Sequence, residues 1–251
     1  LLLLVDSDWL MLGALVVDKP AGITSHDVVA RVRRLAATRR VGHAGTLDPF
    51  ATGMLPICLG EASKTAACML DAAKTYLAEA RLGQATRTGD IEGDIVGEAA
   101  VPGPDCAPIR AALARFEGRI RQIPPMYSAL KHRGERLYRL ARQGIEVERP
   151  PRRVVIHRVE LLGLEPGRLE FEIDCSKGTY VRSLAEDIAR ACGTVGHVHS
   201  LRRLRLGPFR EPRLHSLEAV EAAADRPLEL QAMLLPADAA IPGFPAVRLG
   251  L

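Results

Sequence analysis

The chain has 251 residues with 47% hydrophobic and 25% charged side chains, the balance of an ordinary soluble globular protein with length for a sizeable core. Its formal net charge is only +4, so total charge makes no case for a nucleic-acid partner; any such case rests on where the charge sits. Five cysteines (58, 68, 106, 175 and 192), odd in number and without a CxxC pair, read as free and mostly buried thiols of a reducing compartment, which disfavours a disulfide scaffold.

Residues 1–12 read as an extension. "LLLLVDSDWLML" lacks a basic leader and is interrupted by Asp6 and Asp8, so an export signal is not expected in it, and no run approaches the ~18 apolar residues that span a bilayer. The expected compartment is cytoplasmic. "ALVVDKPAGITS" then reads as a buried strand, a Pro-Gly turn and a helix start. Thr24 or Ser25 is the cap, and Val28, Val29, Val32, Leu35 and Ala36 follow at helical spacing. "VGHAGTLDPFATG" (41–53) carries three Gly and one Pro around a single carboxylate, Asp48. Gly admits unusual backbone and close approach, and Pro49 pushes Asp48 toward extended geometry, so the stretch is a shaped loop presenting one acid.

Helical character is expected again in "EASKTAACMLDAA", and "KTYLAEARLG" alternates as a strand with Tyr76, Ala78 and Ala80 on one face. "PGPDCAP" is a breaker-rich connection before the helix "IRAALARFEG". "RLEFEIDCS" is a half-buried strand with Leu169, Phe171, Ile173 and Cys175 inward. "GTYVRSLAEDIARACG" is an amphipathic helix stopped at Gly193, and "HVHSLRRLRLGPF" returns as a strand. Strands and helices intersperse without a βαβ rhythm, which favours α+β.

Charge concentrates locally. Between Arg119 and Arg158 eleven Lys or Arg face three Glu, an excess of eight, on a segment with Pro-stiffened ends around the short helix "ERLYRLARQG". A cationic arm of this kind reads as a phosphate-backbone clamp or as a solvated helix face. Arg202, Arg203 and Arg205 form a second basic stretch, and two separated patches favour a polyanion.

Asp48 beside Pro49 is either a turn residue or a working acid. Arg182, placed on the exposed side of its helix, either opposes a buried carboxylate or pairs with Glu186 one turn on. Tyr76 and Tyr180 either stack on a base or pack in the core. His197 and His199 lack neighbouring carboxylates or thiols, so no metal site is expected, and no HExxH, GxxxxGK[ST] or GxGxxG is present.

Five blocks carry a resemblance: "VVDKPAGITSHDVV", "RVGHAGTLDPFATGMLPICLGEASK", "KTYLAEARLGQATRTGDIEGDIV", "IPPMYSALKHRGERLYRLARQGIEVERPPR" and "CSKGTYVRSLAEDIA". In this order, across roughly residues 13–210, the chain resembles the bacterial tRNA pseudouridine-55 synthase family, TruB. The resemblance implies an α+β fold: a mixed, mostly antiparallel central sheet with flanking helices and a basic thumb insertion. It also implies an organisation: a catalytic domain over 13–238 with its thumb at 119–153, and a tail at 239–251 that opens a small RNA-binding domain in many relatives.

The implied activity is isomerisation of the T-loop uridine of tRNA (position 55) to pseudouridine, without metal or cofactor. The implied partner is the tRNA T arm, with no membrane and no obligatory protein partner. Asp48 of "GTLDP" corresponds to the essential acid, acting by attack on the base, attack on the sugar or a glycal route. His43 corresponds to the residue that meets displaced nucleotides, and Tyr76 to the one against the flipped uracil. Tyr180 and Leu201 match further pocket positions, Arg182 the partner of the acid, and Lys19 a supporting position. Ala44 and Thr46 stand where some relatives carry Thr and Ala. Two other readings are a non-catalytic tRNA-folding chaperone using the same basic arm and an RNA-guided ribosomal pseudouridine synthase; the thumb segment argues for tRNA binding without a guide.

Overall fold

The computed structural model describes residues 11–103, 106–211 and 214–240, with the side chains of Cys106 and Ala240 excepted. The first ten residues of the expected extension, residues 241–251 of the expected tail and the Cys106 thiol lie outside the described residues. The chain divides into two compact units: residues 1–74 with 203–251, and residues 75–202.

In the first unit, β1 (Gly13–Lys19) is buried along almost its whole length. It pairs antiparallel with β3 (Thr52–Leu59), in a register running from Gly13 opposite Leu59 to Lys19 opposite Gly53. On its other edge β1 meets the two-residue β14 (His215–Ser216) in parallel, and β2 (Val41–His43) pairs with the far half of β3. Helix α1 (Ser25–Leu35) starts at Thr24, whose side chain accepts from the Asp27 amide while Asp27 accepts from the Thr24 amide. This reciprocal box satisfies two otherwise unpaired donors. Val28, Val29 and Val32 are the buried stripe, as the spacing predicts. The expected helix after β3 is instead a 3₁₀ turn (Gly60–Lys64) followed by α2, only Ala66–Leu70. Lys74 ends it, its ammonium donating to the carbonyls of Leu70 and Ala72. Ala14, Val16, Met54, Cys58, Met69, Leu206 and Phe209 form the core of this unit.

In the second unit, β4 (Lys74–Leu82, of which Lys74 counts with the first unit), β11 (Arg168–Cys175), β10 (Arg152–Glu165) and β7 (Gly118–Gln122) lie side by side in that order. Tyr76, Ala78, Ala80 and Leu82 of β4 are buried in alternation, as are Leu169, Phe171, Ile173 and Cys175 of β11. Short strands β5 (Gln84–Thr86) and β6 (Ile95–Glu98) pair apart from that sheet. Helix α3 (Cys106–Phe116) packs against β10 and α5 (Val181–Ala191). α5 ends in a Schellman turn: Gly193, at φ +75°, donates to Arg190 and Thr194 donates to Ala189.

β7 and β10 are antiparallel, with Gln122 opposite Arg152 and Ile156 opposite Gly118, so both ends of the expected 119–153 insertion are paired strands. Between them, residues 123–151 carry the β8 (Lys131–His132) and β9 (Glu135–Arg136) hairpin and helix α4 (Leu137–Arg142). β12 (Gly196–Leu206) has residues 196–202 in the second unit and 203–206 in the first, and its end pairs with β13 (Phe209–Arg210). β1 with β14 and an isolated bridge of Asp90 with Val198 are parallel, while β1 with β3, β2 with β3, β10 with β11 and with β7, β12 with β13 and both hairpins are antiparallel, so the fold is α+β and mostly antiparallel. Helices α6 (Leu217–Ala222) and α7 (Pro227–Ala232) follow, and a 3₁₀ turn (Ala237–Ala240) ends the described chain.

Two expectations are corrected. Of the four described thiols only two are buried, Cys58 and Cys175, while Cys68 is exposed on α2 and Cys192 is half-buried at the α5 terminus. Arg203 is no part of a basic surface, because strand alternation turns it inward with Leu201 and leaves it fully buried.

Candidate active site

The loop between β2 and β3 holds Asp48, and buried polar groups fasten it residue by residue. Arg203 donates from Nη2 to Gly45 O (3.0 Å), from Nη1 to Thr46 O (3.4 Å) and from Nε to Met54 O (2.7 Å). The Ser25 hydroxyl accepts from the Leu47 amide (2.9 Å) and donates to its carbonyl (3.3 Å). Lys19 donates to Pro20 O (2.8 Å) and Pro49 O (3.0 Å), and the Gly22 amide donates to that same Pro49 carbonyl (2.9 Å). Lys19 and Arg203 are both 0% exposed. Burying a cation is expensive unless several acceptors surround it, so each of these residues is held where it is by the loop it holds.

Glycine and proline are needed here for identifiable reasons. Gly45 sits at φ +108°, where a side chain would be strained, and its carbonyl is the one Arg203 grips. Pro49 has no amide to satisfy, while its carbonyl is doubly bonded. Leu47 and Pro49 are thus fixed on either side of Asp48, whose own carbonyl accepts from the Ala51 amide (3.1 Å). The half-buried Asp48 is carried on backbone that is immobilised before and after it.

His43 ends β2 beside this loop. Its ring lies edge-on to His26 of α1 at 5.8 Å between centroids, and its Nδ1 is buried without a hydrogen-bond partner. Burial first, then the charges of His26 and Arg203, hold its pKa below the usual 6.5, so the ring is neutral at pH 7. The first unit therefore gathers Lys19, His43 and Asp48 on one loop system. Ser25 and Arg203, which complete it, were not singled out for it by the sequence. The signal for Ser25 is its place at the α1 start, and for Arg203 its strand alternation with Leu201.

In the second unit, Tyr180 and Arg182 meet at the start of α5. No side chain caps that helix at Tyr180; the buried amide of Gln122 instead accepts from Tyr180 N (2.7 Å) and donates to Tyr180 O (2.9 Å). The expectation that Arg182 lies on the exposed side of its helix is corrected: it is 3% exposed, because the first turn of α5 is covered by the 86–90 loop and by Tyr127. Its guanidinium donates to Thr88 O (2.9 Å) and Tyr127 O (2.7 Å) and pairs with the equally buried Asp90 at 3.2 Å. Asp90 also accepts from Thr88 Oγ1 and the Glu92 amide. Glu186, the alternative partner, faces Gly89, where a Cβ would stand 2.6 Å from its carboxylate. Ser183 donates to Ile123 O (3.1 Å), so Gln122, Arg182 and Ser183 together bind the root of the 123–151 segment to α5. Tyr76 is buried in β4 and Leu201 in β12, each at a strand position facing inward. Asp90 and Gln122 also went unremarked in the sequence; Asp90's signal is its "TGDIEGD" turn.

Among the described residues no three His, Cys, Asp or Glu side chains gather as a metal site, and no helix is long and apolar enough to cross a membrane.

Known proteins resemble this one throughout. Residues 33–181 match the family model for the TruB family pseudouridylate synthase N-terminal domain, and residues 182–242 match the tRNA pseudouridylate synthase B C-terminal domain. The chain is 49% identical to the tRNA pseudouridine synthase B of Chromohalobacter salexigens over 239 residues, covering 94% of this chain and 76% of that protein. It is 48% identical to that of Bordetella avium over 233 residues, 90% of this chain and 96% of that one. Among solved structures, the crystal structure of a Cbf5-Nop10-Gar1 complex matches with TM-score 0.72 at 29% identity, over 92% of this chain but only 62% of that one. An H/ACA RNP bound to a substrate RNA containing 2'-deoxyuridine matches with TM-score 0.69 at 28% identity, over 92% and 61%.

Proposed function

Given that the chain belongs to the TruB family of pseudouridylate synthases, we propose that it isomerises uridine 55 in the T loop of tRNA, with Asp48 as the acting carboxylate. The observation that carries this reading is the fastening of the Asp48 loop by Lys19, Ser25 and Arg203. Two fully buried cations spent on holding one short loop are a costly device for a mere turn. They are an economical one for fixing a reacting group within a fraction of an ångström. The relatives named tRNA pseudouridine synthase B support tRNA as the substrate.

In the proposed reaction the target uridine leaves its stack, at a cost of a few kcal/mol. The N1–C1′ bond breaks, the uracil turns, and C5 bonds to C1′; the proton on C5 is lost and N1 gains one, so the product is an isomer. Tyr76, Tyr180 and Leu201 would line the uracil site. Stacking and apolar contact tolerate the turn, whereas strong hydrogen bonds to one orientation would arrest it. A neutral His43 suits contact with displaced bases, and Arg182 would oppose the desolvation of an ionised Asp48.

The test incubates purified protein, without added metal or partner, with an unmodified T-arm hairpin and maps pseudouridine. Asp48→Asn is expected to fold and bind the hairpin as the parent does while forming no product. Conversion by that variant at near the parent rate sinks the assignment. A parent protein that refolds tRNA yet isomerises nothing would establish the chaperone reading instead.

A further inference from the structure

A groove of about 670 Å³ runs along the second unit, lined by Arg119, Arg121, Arg153, Ser176 and Lys177 with Ile120, Val154 and Val155 between them. Three elements build it. Side chains two apart on a strand share a face, which sets Arg119 and Arg121 of β7 together. The β7–β10 register puts Arg153 directly opposite Arg121, and Val155 opposite Arg119. Ser176 then brings in the segment after β11: its amide donates to Val155 O (2.8 Å) and its hydroxyl accepts from Val155 N (2.9 Å), leaving Lys177 exposed at the rim.

No lining residue is acidic. Among the described residues Arg119, Arg121 and Arg153 have no carboxylate partner, and all three are exposed. Some arginines elsewhere on the surface are neutralised: Arg158, further along β10, pairs with Glu160 and Glu172, Arg168 with Glu79, and Arg190 with Asp187; what sets the groove apart is that three arginines and a lysine from three elements line one concavity. Like charges directly opposite across a strand pair are destabilising, so Arg121 facing Arg153 is a standing cost in the free protein. Basic residues on an edge strand can serve only to discourage pairing with other strands. That accounts for β7, the last strand of its sheet, but not for Arg153 on the inner strand β10 nor for Lys177 on a third element.

We propose that this groove is a docking track for the phosphodiester backbone of the RNA substrate, separate from the uracil site. The inference rests on the RNA-modifying reading above. Arg119 and Arg121 are about 7 Å apart along the strand, comparable to the step between successive phosphates, and guanidinium forks suit phosphate oxygens. Contacts to phosphate set register and orientation and carry no base information, so the track is sequence-independent. Arg121 and Arg153 border the 123–151 segment on both sides, so the track lies at the root of the basic insertion.

The test compares the parent with the triple variant Arg119→Gln, Arg121→Gln, Arg153→Gln, titrating a T-arm hairpin over a range of salt. Each lost phosphate contact should lower the slope of log affinity against log salt by about 0.7 to 0.9, hence about 2 to 3 in all. A control triple, Arg168→Gln, Arg190→Gln and Arg226→Gln, removes the same charge from arginines that have carboxylate partners and should leave the slope within one. Thermal melting at low salt checks folding; relief of the Arg121–Arg153 repulsion should hold or raise the midpoint of the groove variant. An unchanged slope in the groove variant, or an equal fall in the control, overturns the proposal. If the parent binds the hairpin but converts no uridine, the isomerase reading fails, while the difference in slope still decides the groove.

Discussion

Arg203 shows how one residue sets the working geometry of another. Its planar fork spreads one charge over Gly45 O, Thr46 O and Met54 O, which a single ammonium on a flexible stem cannot do. Arg203→Lys leaves buried carbonyls without donors, and we expect a loss of about 2–4 kcal/mol in unfolding free energy by urea titration. The same variant should lower kcat of the proposed isomerisation far more than it changes KM, because a loosened loop misplaces Asp48 in the reacting complex. An equal kcat in a destabilised variant would make Arg203 structural only. The loop itself was legible in the sequence, since Gly and Pro around one carboxylate exclude a helix or a long strand. Its fastenings were not. Arg203 stands among Arg202 and Arg205, and only the inward face of β12 separates a buried arginine from a surface patch.

At the scale of elements, clean alternation and caps were readable: α1 with its Thr24 box, β4, β11 and α5 stand where the pattern puts them. β10 was hidden. Its pairing with β11 shifts register between Ile156 and Arg158 and again between Leu161 and Gly163, so its apolar residues never keep a period of two for long. Its Arg-rich start also merged with the basic segment before it. Long-range closure was equally invisible: Ala14 and Leu235 exchange both backbone hydrogen bonds at 2.9 Å, and a Cβ on Gly13 would lie 2.3 Å from Leu235 O. Gly13→Ala must therefore push the Leu235 strand segment away. We expect a cost of about 1–3 kcal/mol, with the Ala14 and Leu235 amides exchanging hydrogen faster while those of β11 keep their protection.

For the molecule as a whole, a modest net charge conceals local contrast: Arg158, Arg168 and Arg190 sit beside carboxylates, while the arginines gathered along the β7–β10 groove have none among the described residues. Global stability inherits the titration of buried groups. His43 takes a proton less readily folded than unfolded, where its pKa is near 6.5. The unfolded chain therefore binds more protons in the window below that value, and the stability His43 lends is complete above it and lost as pH falls through the lower, folded pKa. Urea midpoints at about pH 7.5 and pH 5.5 should differ less in His43→Gln than in the parent. An identical pH dependence in both would mean that the imidazole does not contribute.

The order in which the chain is made acquires meaning from the Arg203 fork. The carboxylate is translated about one hundred and fifty residues before the guanidinium that secures its loop. A nascent polypeptide halted anywhere in that interval holds the Asp48 loop by Lys19 and Ser25, without the fork that grips Gly45, Thr46 and Met54. Full fastening of the Asp48 loop is therefore a late event of biosynthesis, reached only once the strand bearing Arg203 has left the ribosome and zipped into place.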